Sequence, residues 1–213
     1  MAYVLGFFAA DGSMIKNRRG GHFIELHIND REILVAIRKA TGSSNKISIR
    51  ARKNSNQKTS YRLQMGSRKM YADLLVLGMC PRKSLVLKMP AVPQKYLGDF
   101  VRGYFDGDGC VYFKKLKFAD RKNKRHILQS AFSCGSFDFL VALLQLLREH
   151  GVRGGSLKRK KGGNELMLSH HDSVALYGIM YHNLRRGDIY LVRKYRLFTQ
   201  AIETLYGKNA VVV

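Results

Sequence analysis

Val4-Leu5-Gly6-Phe7-Phe8-Ala9-Ala10-Asp11-Gly12 and Val101-Arg102-Gly103-Tyr104-Phe105-Asp106-Gly107-Asp108-Gly109 are two versions of one segment. Each is apolar, long enough for a helix, carries small residues four apart (Gly6 and Ala10, Gly103 and Gly107) and closes on Asp-Gly. One such segment is ordinary: an apolar helix ending in Asp-Gly is usually core plus a cap. Two with matched spacing form an internal repeat. Residues i and i+4 share a helix face, so each copy presents a strip without bulk along which a second helix can approach closely. The natural partner is the other copy. Parallel packing brings Asp11 and Asp108 side by side at the C-terminal ends, with Gly12 and Gly109 predicted to take the left-handed conformation that stops a helix. Two carboxylates at one point repel, and the negative end of each helix dipole adds to the repulsion, so the arrangement asks for divalent cations.

Charge leads to the partner by a separate route. Lys and Arg number 38 against 15 Asp and Glu, a formal net charge of +23. The excess is shared evenly: residues 1–94 hold 17 basic and 5 acidic side chains, residues 95–213 hold 21 and 10, so the halves carry +12 and +11. Two similar basic lobes suit one polyanion better than a globular domain with a basic tail does. A membrane surface is disfavoured, because no run of about 18 apolar residues occurs and the basic residues are not confined to one amphipathic helix. Cys80, Cys110 and Cys134 are odd in number and too widely spaced for a zinc ribbon, which predicts an intracellular, reducing compartment. The first motif starts almost at Met1, and on that reading no targeting segment is expected ahead of it.

Beyond the two motifs the halves keep step. In the first, Asn45–Arg52 alternates, with Ile47, Ile49 and Ala51 on one face and Lys46, Ser48, Arg50 and Arg52 on the other. Ser60–Met65 sets Arg62 and Gln64 outward, and His22–Asn29 sets Phe23, Glu25, His27 and Asn29 outward against Ile24, Leu26 and Ile28. The polar run Lys53–Lys58 between two of these strands reads as a hairpin turn. Outward Arg, Lys, Gln, Asn and Ser are what a sheet needs to read base edges and hold phosphates. Helices are predicted over Asp30–Ala40 and Arg68–Leu77. In the second half, strands are predicted over 110–118, 125–133, 156–161 and 165–169, with Lys158 and Lys160 among the polar set. Helices are predicted over 137–150 and 174–183, and 191–205 has helical spacing with no counterpart in the first half beyond its opening residues. The charged stretch 120–124 reads as an insertion relative to the first half. His170-His171, if on a strand, point to opposite faces and cannot easily share one ion.

The two motif segments resemble those of the LAGLIDADG homing endonucleases, in the monomeric two-motif form. Gly6, Ala10, Asp11 and Gly12 match in the first copy, and Gly103, Gly107, Asp108 and Gly109 in the second; Ala9 replaces the earlier Asp of the motif, which Asp106 keeps. The resemblance covers nearly all of 3–205 and implies an α+β fold of two pseudo-symmetric αββαββα halves. These would span 1–88 and 96–213 with a linker at 89–95, pack through their motif helices, and form a basic saddle of antiparallel sheets on double-stranded DNA. It implies a monomer that makes site-specific double-strand breaks in a long target across the minor groove, leaving 3′ overhangs.

Asp11 and Asp108, with the backbone of Ala10 and Gly107, would hold Mg²⁺. Mn²⁺ would substitute, and Ca²⁺ would bind without supporting cleavage. Lys83 and Lys194 inherit by position the family's lysine that points toward the cleavage centre. Asp30 and Ser136, at corresponding strand-to-helix corners, are candidates for the pocket around the metals, and Asp30 also reads as a helix N-cap. The same saddle and charge would serve an RNA-binding intron maturase. A catalytically silent DNA-binding regulator is disfavoured by retention of both terminal acids and both lysines.

Overall fold

A computed structural model of the chain describes residues 1–50, 58–117, 119 and 123–207. Arg52, the turn at 53–57 and most of the charged stretch at 120–122 lie outside the described residues. The chain divides into two compact units, Met1–Gly107 with Ile189–Leu191, and Asp108–Asp188 with Val192–Val213.

In the first unit the order is α1 (Ala2–Asp11), β1 (Gly12–Lys16), β2 (His22–Ile28), α2 (Arg31–Ala40), β3 (Ile47–Arg50), β4 (Ser60–Gly66), α3 (Arg68–Val76) and α4 (Leu97–Asp108), the last ending at the boundary. The strands form one antiparallel sheet in the order β1-β2-β4-β3. Strand alternation sends Ile24, Leu26, Leu63 and Met65 to the buried face, where Ile33, Leu34 and Ile37 of α2 and Leu74 of α3 cover them. Ser67 caps α3, its hydroxyl accepting from the Met70 amide at 3.1 Å, which satisfies one of the orphan donors of the first turn.

The second unit repeats the plan with β5 (Gly109–Leu116), β6 (Arg125–Cys134), α5 (Phe137–Glu149), β7 (Ser156–Lys160), β8 (Gly163–Ser169), α6 (His171–Tyr181) and α7 (Val192–Tyr206). Its sheet order, β5-β6-β8-β7, matches the first position by position. The chain therefore has the predicted α+β fold, with αββαββα-like halves each built on a four-stranded antiparallel sheet.

Three local expectations change. Gly12 is extended (φ −88°, ψ 151°), and neither it nor Gly109 has a positive φ, because each motif helix passes straight into a strand with no turn between them. Gly12 is required for space instead: a Cβ there would stand 2.2 Å from the Phe8 ring. Ile49, expected on the inward face, is 69 % exposed, lying on β3, the edge strand of the sheet. His170-His171 are not on a strand. β8 ends at Ser169, His170 turns the chain with φ 45°, and His171 opens α6 and lies against the Tyr206 ring at 5.3 Å.

Candidate active site

The small-residue strips of the two motifs meet inside the first unit. A Cβ on Gly6 would stand 2.0 Å from the Phe100 carbonyl oxygen and 2.9 Å from the Tyr104 nitrogen; one on Gly103 would stand 2.1 Å from the Tyr3 carbonyl oxygen and 2.9 Å from the Phe7 nitrogen. One turn or so further on, a Cβ on Gly107 would stand 2.5 Å from the Ala10 Cβ and 3.5 Å from the Asp11 Oδ2. The contacts advance together along both helices, so α1 and α4 run parallel with backbones touching, as the spacing predicts. The Asp11 carboxylate lies against the last turn of α4, at the residue before Asp108.

Asp11 and Asp108 are each partly exposed and each is the last residue of its motif helix. Last-turn carbonyls of a helix are electron-rich and lack intrahelical donors. In the first unit Lys83 supplies a cation there. Its side chain is buried (6 % exposed), the ammonium donates to the Gly12 carbonyl and, at 3.5 Å, to the Ala10 carbonyl, and it stands 5.2 Å from the centre of the Phe8 ring. Arg82, just before it, holds a left-handed backbone (φ 57°, ψ 33°), the sharp turn that delivers Lys83 inward. In the second unit Lys194 is 5 % exposed and donates to the Gly109 carbonyl at 2.6 Å. It sits in the first turn of α7, which aromatic contacts hold to α6: Tyr195 lies 5.9 Å from Tyr177 and 5.0 Å from Tyr181, and Phe198 5.9 Å from Tyr177. The two lysines, 72 and 86 residues beyond their acids, thus dock on equivalent carbonyls, each on the residue after its motif acid.

The earlier acid of the motif has a different place. Asp106 is wholly buried, and its Oδ2 accepts from the Tyr3 hydroxyl and from the Leu191 amide, both at 2.8 Å. Arg102, one turn before, is buried with its Nε donating to the Ile189 carbonyl at 3.0 Å and its Nη2 to the Asp99 carboxylate at 2.5 Å. These bonds tie the segment Ile189–Leu191 to α4 within the first unit. Sequence reading assigned neither residue a role. The available signal was a buried-looking Arg and Asp four apart in an otherwise apolar helix. Ala9, at the equivalent position of the first motif, is simply core.

At the corners, Ser136 is buried and caps α5, its hydroxyl accepting from the Phe139 amide at 3.3 Å. Asp30 stands at the N-cap position of α2 but makes no side-chain capping hydrogen bond, contrary to the cap reading. Of the predicted DNA-contact residues, Lys46, Arg50, Lys158 and Lys160 are exposed and Ser48, Arg62, Gln64 and His27 are half-buried. Glu25 is buried among the last three of these.

Among the described residues no group of three or more His, Cys, Asp or Glu could hold a metal ion. The oxygen donors at the helix ends nonetheless fit Mg²⁺, a hard cation commonly held by one or two carboxylates together with substrate phosphates. The Asp11 Oδ2 packed on the end of α4 is the observation that fits this donor set.

Parallel motif helices meeting at glycine, each ending in an acid and passing directly into an antiparallel sheet, define a protein of the LAGLIDADG fold. Residues 1–75 match the LAGLIDADG-like domain. Among solved structures it is similar to the meganuclease I-SmaMI bound to uncleaveable DNA (TM-score 0.62, 13 % identity, covering 98 % of this chain and 92 % of that one). It is likewise similar to the LAGLIDADG meganuclease I-AabMI bound to uncleaved DNA (0.60, 14 %, 98 % and 92 %). A third similar structure is the I-LtrWI LAGLIDADG homing endonuclease bound to target DNA (0.59, 12 %, 99 % and 91 %). At such identities the likeness is one of fold. A comparison with curated proteins finds no sequence match. Among the described residues, no helix is long and apolar enough to cross a membrane.

Proposed function

We propose that the protein is a site-specific endonuclease that makes double-strand breaks in a long duplex DNA target by metal-dependent phosphodiester hydrolysis. The observation that carries this reading is the pairing of each motif acid with a buried lysine on the next residue's carbonyl, in both copies. Each motif helix end thus combines an acid with a buried cation, the two kinds of group that metal-assisted phosphodiester hydrolysis employs. Asp11 and Asp108, with the carbonyls of Ala10 and Gly107, would hold Mg²⁺ or Mn²⁺, which supplies Lewis-acid polarisation of the phosphate and a bound water of lowered pKa. Lys83 and Lys194 contribute fixed positive charge where negative charge accumulates on the phosphate in the transition state. Their burial places that charge in a poorly solvated setting, where it counts for more than at the surface. The polar faces of the sheets would contact the duplex, phosphates through Lys46, Arg50, Lys158 and Lys160.

Two predictions arise here. Lys83→Met and Lys194→Met should each slow single-turnover cleavage by roughly 10²-fold, the scale for removing one preorganised charge-stabilising donor, with DNA affinity little changed. An unaltered rate in both variants would remove the lysines from the mechanism.

The second prediction concerns recognition. Selection from a random duplex library in Ca²⁺ should recover a long preferred sequence. Affinity for it should fall by about 10³ to 10⁵ between 50 and 200 mM salt if 6–10 phosphates are contacted, with sequence preference persisting beneath the loss. A flat salt profile, or tighter binding to a structured RNA than to any duplex, would contradict the DNA reading. The recovered duplex is then the substrate on which cleavage is tested with Mg²⁺ supplied or withheld.

A further inference from the structure

Glu25 is 7 % exposed, yet it lies on the polar face of the first sheet, not in the apolar core. A carboxylate is almost never buried without partners. Here it has three. Gln64 Nε2 donates to its Oε1 at 2.5 Å, His27 Nε2 lies 3.2 Å from its Oε2, and Arg62 Nη1 lies 3.7 Å from its Oε1. The register explains the grouping: Gln64 stands directly opposite Glu25, Arg62 opposite His27, and Ser48 opposite Arg62, whose Nε donates to the Ser48 hydroxyl at 3.4 Å. Side chains of two neighbouring strands thus enclose the Glu25 carboxylate, and Ser48 of a third strand braces Arg62.

The chemistry of that anion constrains its neighbours. An ionised carboxylate only accepts, so the Gln64 amide must turn its NH₂ toward Glu25. A flipped amide would set oxygen against oxygen. Held this way round, the amide keeps its carbonyl oxygen and its second N–H for other partners. That donor and acceptor pair is the one that matches N7 and N6 of adenine in the major groove. Arg62 is likewise drawn to one side of its range by Glu25 and Ser48 while its side chain stays 43 % exposed.

We infer that Glu25 is a positioning residue for base reading: by locking the amide orientation of Gln64 it makes this part of the sheet prefer adenine at one base pair. The inference rests on the duplex-DNA reading proposed above. It carries a signature that a merely structural role lacks. A carboxylate opposes binding of any polyanion, so removing its charge should leave affinity for random duplex equal or higher while discrimination at one position falls.

The experiment is a base-by-base preference profile of the duplex site recovered by the wild-type protein, repeated with Glu25→Gln, Gln64→Ala and the double variant. Glu25→Gln is close to isosteric but lets the Gln64 amide sit either way. It should reduce the adenine preference at one base pair by roughly 5- to 100-fold, the scale of one bidentate contact. Gln64→Ala should flatten the same base pair, and the double variant should be no flatter than Gln64→Ala alone, the coupling expected of residues acting through each other. Uniformly weaker binding with an unchanged profile in Glu25→Gln would overturn the inference, as would flattening at a base pair that Gln64→Ala leaves intact. Should Glu25→Gln fail to fold, Gln64→Ala decides by itself, since Gln64 is half-exposed, and an unchanged profile there overturns the inference. A wild-type protein that selects no duplex sequence defeats the DNA reading itself, a result distinct from loss of the Glu25 effect alone.

Discussion

Gly6→Ala and Gly103→Ala should each destabilise the protein by about 3 kcal/mol or more, at or above the upper end of ordinary overpacking. The added methyl carbon would lie 2.0 Å from the Phe100 carbonyl oxygen in one case and 2.1 Å from the Tyr3 carbonyl oxygen in the other. Both obstructing atoms are backbone, so no rotamer change relieves the clash, and the helices must separate. Separation would uncover Phe7, Phe100 and Tyr104, all fully buried. Gly178→Ala is the control. It lies within α6 with nothing within 4 Å of a new Cβ, and it should stabilise by up to ~1 kcal/mol through helix propensity. Urea unfolding of the three variants measures this. A Gly6→Ala protein as stable as wild type would mean that α1 and α4 do not meet backbone to backbone.

Asp11→Asn and Asp108→Asn should each abolish double-strand cleavage, with a rate loss on the order of 10³-fold, while DNA binding stays near normal. Asn is nearly isosteric and keeps one oxygen, but it lacks the charge a divalent cation requires. Binding should survive because the lost charge is negative and DNA is an anion. Folding should survive because each acid is partly exposed at a helix end and belongs to no core. If the two acids share ions, neither variant should make an efficient double-strand break, although one strand can still be nicked. Asp106→Asn should behave differently. Asp106 accepts from Tyr3 and Leu191 within the core, so its replacement should register first as lost stability.

The helix pairing was legible because close approach leaves a local mark, small residues at i and i+4, and the mark occurs twice. Strand faces were legible from alternation in β2 and β4. Alternation assigns a face but not a depth, so Glu25 was placed correctly on the polar side with no indication that Gln64, His27 and Arg62 would enclose it. Gly12 misled because Asp-Gly after a helix usually signals a left-handed stop, whereas here the demand on glycine comes from the Phe8 ring. His170 was misplaced because a non-glycine residue at positive φ gives no signal in sequence. The anchoring of Ile189–Leu191 by Arg102 and Asp106 joins residues more than 80 apart, which no local period encodes. Lys83 and Lys194 were located through the family resemblance, and their equivalent carbonyl partners, Gly12 and Gly109, follow from the repeated sheet plan.

The most direct measurement is cleavage of a plasmid carrying the duplex site that the wild-type protein selects, with Mg²⁺, with Ca²⁺ and with EDTA, scoring both strands. The account predicts linear plasmid with a cut in each strand in Mg²⁺, and bound but intact plasmid in Ca²⁺ and in EDTA. Linearisation in EDTA, or a tightly bound plasmid left intact in Mg²⁺ by a folded protein, would contradict it.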